Sequence, residues 1–143
     1  MLAIEEIKTV NLTNLPNLTI LTGDDTGQFE LMKSQFLRQI QYDAADLNMT
    51  YFDMKEAVYP DVEIDLVSLP FFSEEKIVIL DHFLDVTTAK KCYLTDDELK
   101  SFEQYLENPA DTTKLVIFAE GKLDSKRRIV KLLKRDGKIF EAS

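Results

Sequence analysis

The sequence predicts an α/β fold of three layers, α/β/α, in which helices cover both sides of a parallel five-stranded sheet. Three observations predict it. The runs Leu18–Thr22, Ile77–Leu80 and Leu115–Phe118 are short and apolar without alternation, as strands buried on both faces are. Segments with apolar residues at helical spacing lie between them, so strand and helix alternate along the chain. Glycine, proline, asparagine and aspartate mark the places where one period gives way to the other.

In order, Ala3–Thr9 is a short opening helix, and Leu15-Pro16-Asn17 turns the chain into the first strand, Leu18–Thr22, which ends at Gly23. The loop Gly23–Gly27 leads into a helix whose buried face is Phe29, Met32, Phe36, Leu37 and Ile40. A second strand at Thr50–Phe52 closes on Asp53. Pro60-Asp61 opens a short helix in which Val62, Leu66 and Leu69 share the inner side. The third strand, Ile77–Leu80, follows a proline-centred stretch, Val67–Glu75. Thr95-Asp96-Asp97-Glu98 has the pattern of a capping box and starts a helix with Leu99, Phe102 and Leu106 inward, which Asn108-Pro109 stops. Leu115–Phe118 is the fourth strand. Asp124-Ser125 caps a basic helix with Ile129, Val130, Leu132 and Leu133 inside, Gly137 is its C-terminal cap, and Ile139-Phe140 is a short fifth strand.

At 143 residues the chain is read as one domain, long enough to bury a substantial core. An apolar fraction of 45% with 30% charged residues excludes a disordered or fibrous chain. No apolar run approaches the ~20 residues of a membrane span, and Met1–Glu6 has neither the basic start nor the apolar stretch of a signal peptide. With Cys92 as the sole cysteine there is no disulfide framework within the chain, so the cytoplasm is the expected compartment and no membrane contact is expected. A net charge of −9 argues against a domain built mainly to grip phosphate backbones. Basic residues crowd Lys122–Lys138, however. That run reads first as the solvated face of a helix, with a weak DNA contact by the Lys126–Lys138 region as the secondary reading.

The stretch with the clearest functional signal is Ser68-Leu69-Pro70-Phe71-Phe72. Proline forbids the preceding helix from continuing, so the two phenylalanines sit in a connection. Core aromatics normally arrive on periodic elements, which makes this apolar knob a candidate partner contact. Leu69 and one phenylalanine are expected also to plug the end of the core.

Catalytic candidates are weaker. A working phosphate loop needs Gly-x-x-x-x-Gly-Lys-Ser/Thr after a first strand. Here Gly23-Asp24-Asp25-Thr26-Gly27 is one residue short, and Gln28 and Phe29 stand where Lys and Ser/Thr are required. Asp24 and Asp25 would repel a polyphosphate, so no nucleotide is expected there. The third strand ends in Asp81 like a Walker B strand, but His82 replaces the acidic residue that would polarise water. The rival reading is a receiver-like phospho-acceptor domain holding Mg²⁺ with Asp24, Asp25 and Asp81. It lacks a Ser/Thr after the fourth strand and a lysine after the fifth. His82 is the only histidine, which excludes a cluster of several histidines on a metal. Neither a catalytic residue, a metal site nor a cofactor is assigned.

Taken together, Leu21-Thr22-Gly23-Asp24-Asp25 with Gln28-Phe29, Ser68–Ser73, Lys76–Leu80, Leu115–Phe118, Lys122-Leu123-Asp124 and Lys131–Lys134 resemble one family across nearly the whole chain. It is the N-terminal domain of the delta subunit of the bacterial DNA polymerase III clamp loader. The resemblance implies an AAA+-type fold that neither binds nor hydrolyses ATP, within a DNA-directed DNA polymerase (nucleotidyltransferase) holoenzyme. It implies a domain that binds the beta sliding clamp and promotes opening of its ring, through Leu69 and Phe71 or Phe72 of the Ser68–Phe72 element. Pro70 and the second phenylalanine depart from the family's pattern, and so does the missing glutamine, for which Asp65 or Leu66 stands in. It further implies ATPase and delta prime partners in the loader, with lid and collar domains beyond residues 1–143.

Overall fold

A computed structural model describes residues 2–143. Five strands, β1 (Leu18–Gly23), β2 (Met49–Asp53), β3 (Lys76–Asp81), β4 (Thr113–Glu120) and β5 (Lys138–Glu141), form one sheet in the order β2-β3-β4-β1-β5. Every pairing is parallel. Helices α1 (Ala3–Glu6), α2 (Thr26–Gln39), α3 (Tyr59–Val67), α4 (Asp96–Glu107) and α5 (Arg128–Asp136) complete the alternation.

The two-residue period of a strand sorts its side chains into two cores. Ile20, Val78, Leu80, Leu115 and Ile117 face the layer that contains residues of α3, α4 and α5. Their neighbours Leu21, Ile77, Ile79, Val116 and Phe118 face α2 and the N-terminal segment. This is the three-layer sandwich expected, and it explains why β1 and β3 are buried at every position. Each of their apolar residues supplies one core or the other. The sheet edges differ, since β2 is half-buried throughout and β5 is exposed at both ends.

The capping box of α4 is present: Thr95 Oγ1 accepts from the Glu98 N–H at 3.1 Å, and Glu98 Oε1 accepts from the Thr95 N–H at 2.9 Å. Two expected caps take a different form. The α5 N-cap is Arg127, which has no side-chain cap, because Asp124 forms a turn before the helix and accepts from the Lys126 N–H instead. Gly137 follows α5 in extended conformation, not in the left-handed conformation of a glycine cap. A Cβ there would lie 2.5 Å from Ile20 Cδ1 and 2.8 Å from the Leu133 carbonyl oxygen. Close packing is what requires glycine at 137.

Helix α3 also stops earlier than its apolar spacing predicts. Val62 and Leu66 are buried, but the helix ends at Val67, and Ser68 is already extended. Leu69 precedes Pro70, which disfavours the helical conformation. It therefore leaves the shared face and turns into solvent.

Candidate functional site

At the C-terminal end of β1, where a nucleotide would lie, the chain packs against itself and caps its own helix. Gly23, at φ +123°, packs so tightly on the chain that a Cβ would lie 2.0 Å from the Ala142 carbonyl oxygen. Asp25 is the N-cap of α2, and its Oδ1 accepts from the Gln28 N–H at 3.1 Å. The helix N-terminus that would receive a phosphate already carries a carboxylate. Phe29, where a magnesium-binding hydroxyl would stand, is buried in the core beside Met32 and Phe36.

Asp81 is likewise engaged. Its Oδ2 lies 2.6 Å from Lys33 Nζ and accepts from the Tyr51 hydroxyl, while its Oδ1 accepts from the His82 N–H at 2.7 Å. In working phosphate-loop enzymes the corresponding aspartate helps to hold Mg²⁺. Here the Lys33 ammonium supplies the compensating positive charge. Burial, followed by the bond to Asp81, keeps the Tyr51 phenol protonated far above its ordinary range.

This geometry corrects the receiver-like alternative. A receiver fold places its strands in the order 2-1-3-4-5, whereas here β1 lies between β4 and β5. Asp24 is exposed, Asp25 caps a helix and Asp81 is paired with lysine. Among the described residues, no three His, Cys, Asp or Glu side chains gather so that they could hold a metal ion.

The knob lies at the other end of the sheet, between the C-terminus of α3 and the start of β3. Leu69 is 76% exposed, Phe71 57% and Phe72 107%, so none of them plugs the core. That expectation fails because the chain leaves α3 extended and reaches β3 across the sheet's rim. The knob is nonetheless tied down. Ser68 Oγ donates to the Ile64 carbonyl at 2.6 Å, and Lys76 Nζ pairs with Asp65 Oδ1 at 2.8 Å, fastening the end of α3 to β3. Asn48 Oδ1 accepts from the Phe71 N–H, and Asn48 Nδ2 donates to the Phe71 carbonyl, both at 2.7 Å. Phe72 then takes the left-handed conformation, φ +50°, that bulky residues rarely adopt.

Sequence reasoning missed the surroundings. Leu47, Ile64, Leu69 and Phe71 line one shallow hollow, with Asp61 and Asp65 beside it. Val58 and Val67 add further exposed apolar surface to α3. Ile64 carries a signal that could have been found. It is two residues from Val62, about 200° around a helix, so one of the two must face away from the core.

A phosphate-loop-type sandwich that satisfies its own polar groups at the C-terminal ends of β1 and β3, with an apolar loop presented at the opposite end, defines a domain of the ATPase fold class. Residues 20–143 match the family model described as DNA polymerase III, delta subunit, and the chain belongs to that family. It is 28% identical over 104 residues, 72% of its length, to the DNA polymerase III subunit delta of Bacillus subtilis (strain 168). The structure matches the Bacillus subtilis DNA clamp loader delta protein with a TM-score of 0.76 at 24% identity over 98% of the chain. A gamma subunit-related protein of DNA polymerase III from Thermotoga maritima matches over 99% of the chain, with a TM-score of 0.60 and 12% identity. A RuvB variant from the same organism also matches over 99%, with a TM-score of 0.54 and 14% identity. These likenesses establish the AAA+-type fold. The chain spans 30% of the curated relative and 41%, 46% and 42% of the three solved chains.

Proposed function

We propose that this domain binds the beta sliding clamp for the DNA polymerase III clamp loader and promotes opening of the clamp ring, without binding or hydrolysing ATP. The observation that carries the reading is the knob, which exposes Leu69, Phe71 and Phe72 on a backbone held in one conformation. Leucine and aromatic side chains that enter a partner's pocket are the usual hot spots, each costing ~2 kcal/mol or more on truncation. Leu69 and Phe72 are the principal anchors. Phe71 packs partly against the hollow beside Ile64 and Leu47.

Binding energy at this site favours an opened clamp only as far as the knob binds that conformation better than the closed one. ATP-driven control belongs to the ATPase subunits. Contacts with those subunits and with delta prime are assigned mainly to the parts of the longer relatives outside the region shared with this chain. On α5, Arg128 and Arg135 are engaged by Glu107 and Asp136, which leaves lysines such as Lys126 and Lys131 for a weak DNA contact. The proposed compartment is the cytoplasm, and among the described residues no helix is long and apolar enough to cross a membrane.

The test is direct binding of the chain to its cognate clamp, with Leu69→Ala/Phe72→Ala alongside and folding checked by circular dichroism. The expected loss is about a hundredfold or more. Failure of the parent to bind a functional clamp overturns the reading, and equal binding by a folded variant moves the contact elsewhere.

A further inference from the structure

We infer that Asn48 is a positioning residue for the knob: its side-chain amide brackets both backbone groups of Phe71 and so holds Phe72 outward. The inference rests on the clamp-binding reading for its consequence, but not for its structural content.

Asn48 lies just before β2, 23 residues from Phe71 in sequence. Its own backbone is anchored independently of its side chain. The Asn48 N–H donates to Asp46 Oδ1 at 2.8 Å, and its carbonyl accepts from the Ile77 N–H at 2.8 Å. The carboxamide is therefore carried on a fixed base. An amide has one acceptor and two donors on one planar group, and here it meets one N–H and one C=O of a single residue, as a neighbouring strand would.

That bracket falls immediately before a strained position. A bulky residue at positive φ is strained and persists only where its surroundings determine it. Phe72 has no buried surface to hold it there, since its side chain is wholly in solvent. The constraint must come through the backbone. On its N-terminal side the structure supplies Asn48, and on the other Ser73, whose Oγ donates to the Glu75 carbonyl at 3.1 Å. An anchor already set in its binding conformation loses less freedom on docking. Without the bracket, Phe72 relaxes towards ordinary negative φ and swings its ring away from its present direction.

The test combines a measurement on the free chain with one on the complex. In the free chain, Asn48→Ala should lower the backbone order parameters of Phe71 and Phe72 from about 0.85 towards 0.6. The Phe72 amide-to-Hα coupling, which reports φ, should move to an averaged value. With the sliding clamp as probe, affinity should fall about tenfold while thermal unfolding stays close to the parent's. Asn48→Asp keeps the acceptor for the Phe71 N–H but loses the donor, so it should fall between parent and Asn48→Ala. It carries the test if the alanine variant does not fold. A positioning role also predicts that Phe72→Ala costs less affinity in the Asn48→Ala background than in the parent. Unchanged order and coupling at Phe72, or fold-losses that simply multiply, would overturn the inference. Should the parent not bind the clamp, the clamp reading fails by itself, and the free-chain measurements still decide whether Asn48 sets the knob.

Discussion

The two ends of the sheet have been treated in opposite ways. At the C-terminal ends of β1 and β3, polar groups suited to a ligand are satisfied internally: Asp25 by the start of α2, Asp81 by Lys33 and Tyr51. At the N-terminal end of β3, apolar groups suited to a core are turned outward, and side chains such as Asn48 and Lys76 fix the backbone that presents them. Six residues of strand, on the order of 20 Å, separate the two. The difference teaches that polar groups at one end find partners within the chain, whereas the apolar groups at the other do not. The apolar end gains nothing from its own exposure.

Substitutions at the two ends should therefore separate stability from binding. The largest effect expected is from Gly23→Ala. The new Cβ meets Ala142 backbone at 2.0–2.6 Å, and the residue sits at φ +123°. Relief requires moving the chain that gives the Ala142 N–H to the Thr22 carbonyl at 2.8 Å. A loss of about 4 kcal/mol in urea denaturation is expected, since strain and overpacking combine. A loss below about 1 kcal/mol would mean that this glycine is a relic of a phosphate loop, not a packing requirement.

Next comes Lys33→Met, which leaves the buried Asp81 carboxylate without its cation. Removing one partner of such a pair costs about 3 kcal/mol, and adding Asp81→Asn should recover much of that by removing the stranded charge. Clamp binding should be preserved in the folded fraction. At the knob the pattern reverses: Leu69→Ala/Phe72→Ala should leave the unfolding free energy in urea within about 0.5 kcal/mol of the parent's, because it removes exposed surface. A large stability loss there would show that the knob belongs to the core after all.

The sheet was legible because its signal is local and redundant. Each apolar strand residue serves one of two cores, so the runs lack alternation. The capping box at Thr95 and Glu98 was equally local. So was the knob, since a proline within an apolar cluster announces a connection that carries unusual side chains. What escaped reading depends on distance along the chain. Lys33 meets Asp81 across 48 residues, and Asn48 meets Phe71 across 23. No spacing rule couples them. Leu69 was misplaced for a different reason: helical spacing to Val62 and Leu66 outweighed the local restriction imposed by Pro70, which was the physically stronger constraint.

The smallest expected effect tests how far the C-terminal end of the sheet depends on ionisation. Asp53 ends β2, and its Oδ1 accepts from the Lys55 N–H at 3.0 Å and lies 3.0 Å from His82 Nδ1. Burial opposes its ionisation, but these two contacts outweigh burial and hold its carboxyl below the usual carboxylate value. A lowered folded-state pKa stabilises the protein above the unfolded value near 3.9, and that contribution disappears as pH falls through the folded value. The group is partly exposed, so solvent screening limits the effect to a few tenths of a kcal/mol. Asp53→Asn should therefore lower the urea midpoint slightly at neutral pH and converge with the parent only as pH falls below the lowered folded-state value of Asp53. A gap that persists in acid would assign the contribution to hydrogen-bond geometry instead of charge. It would also mean that this end of the sheet is held at Asp53 by packing and neutral contacts, with Lys33–Asp81 as the ion pair that matters.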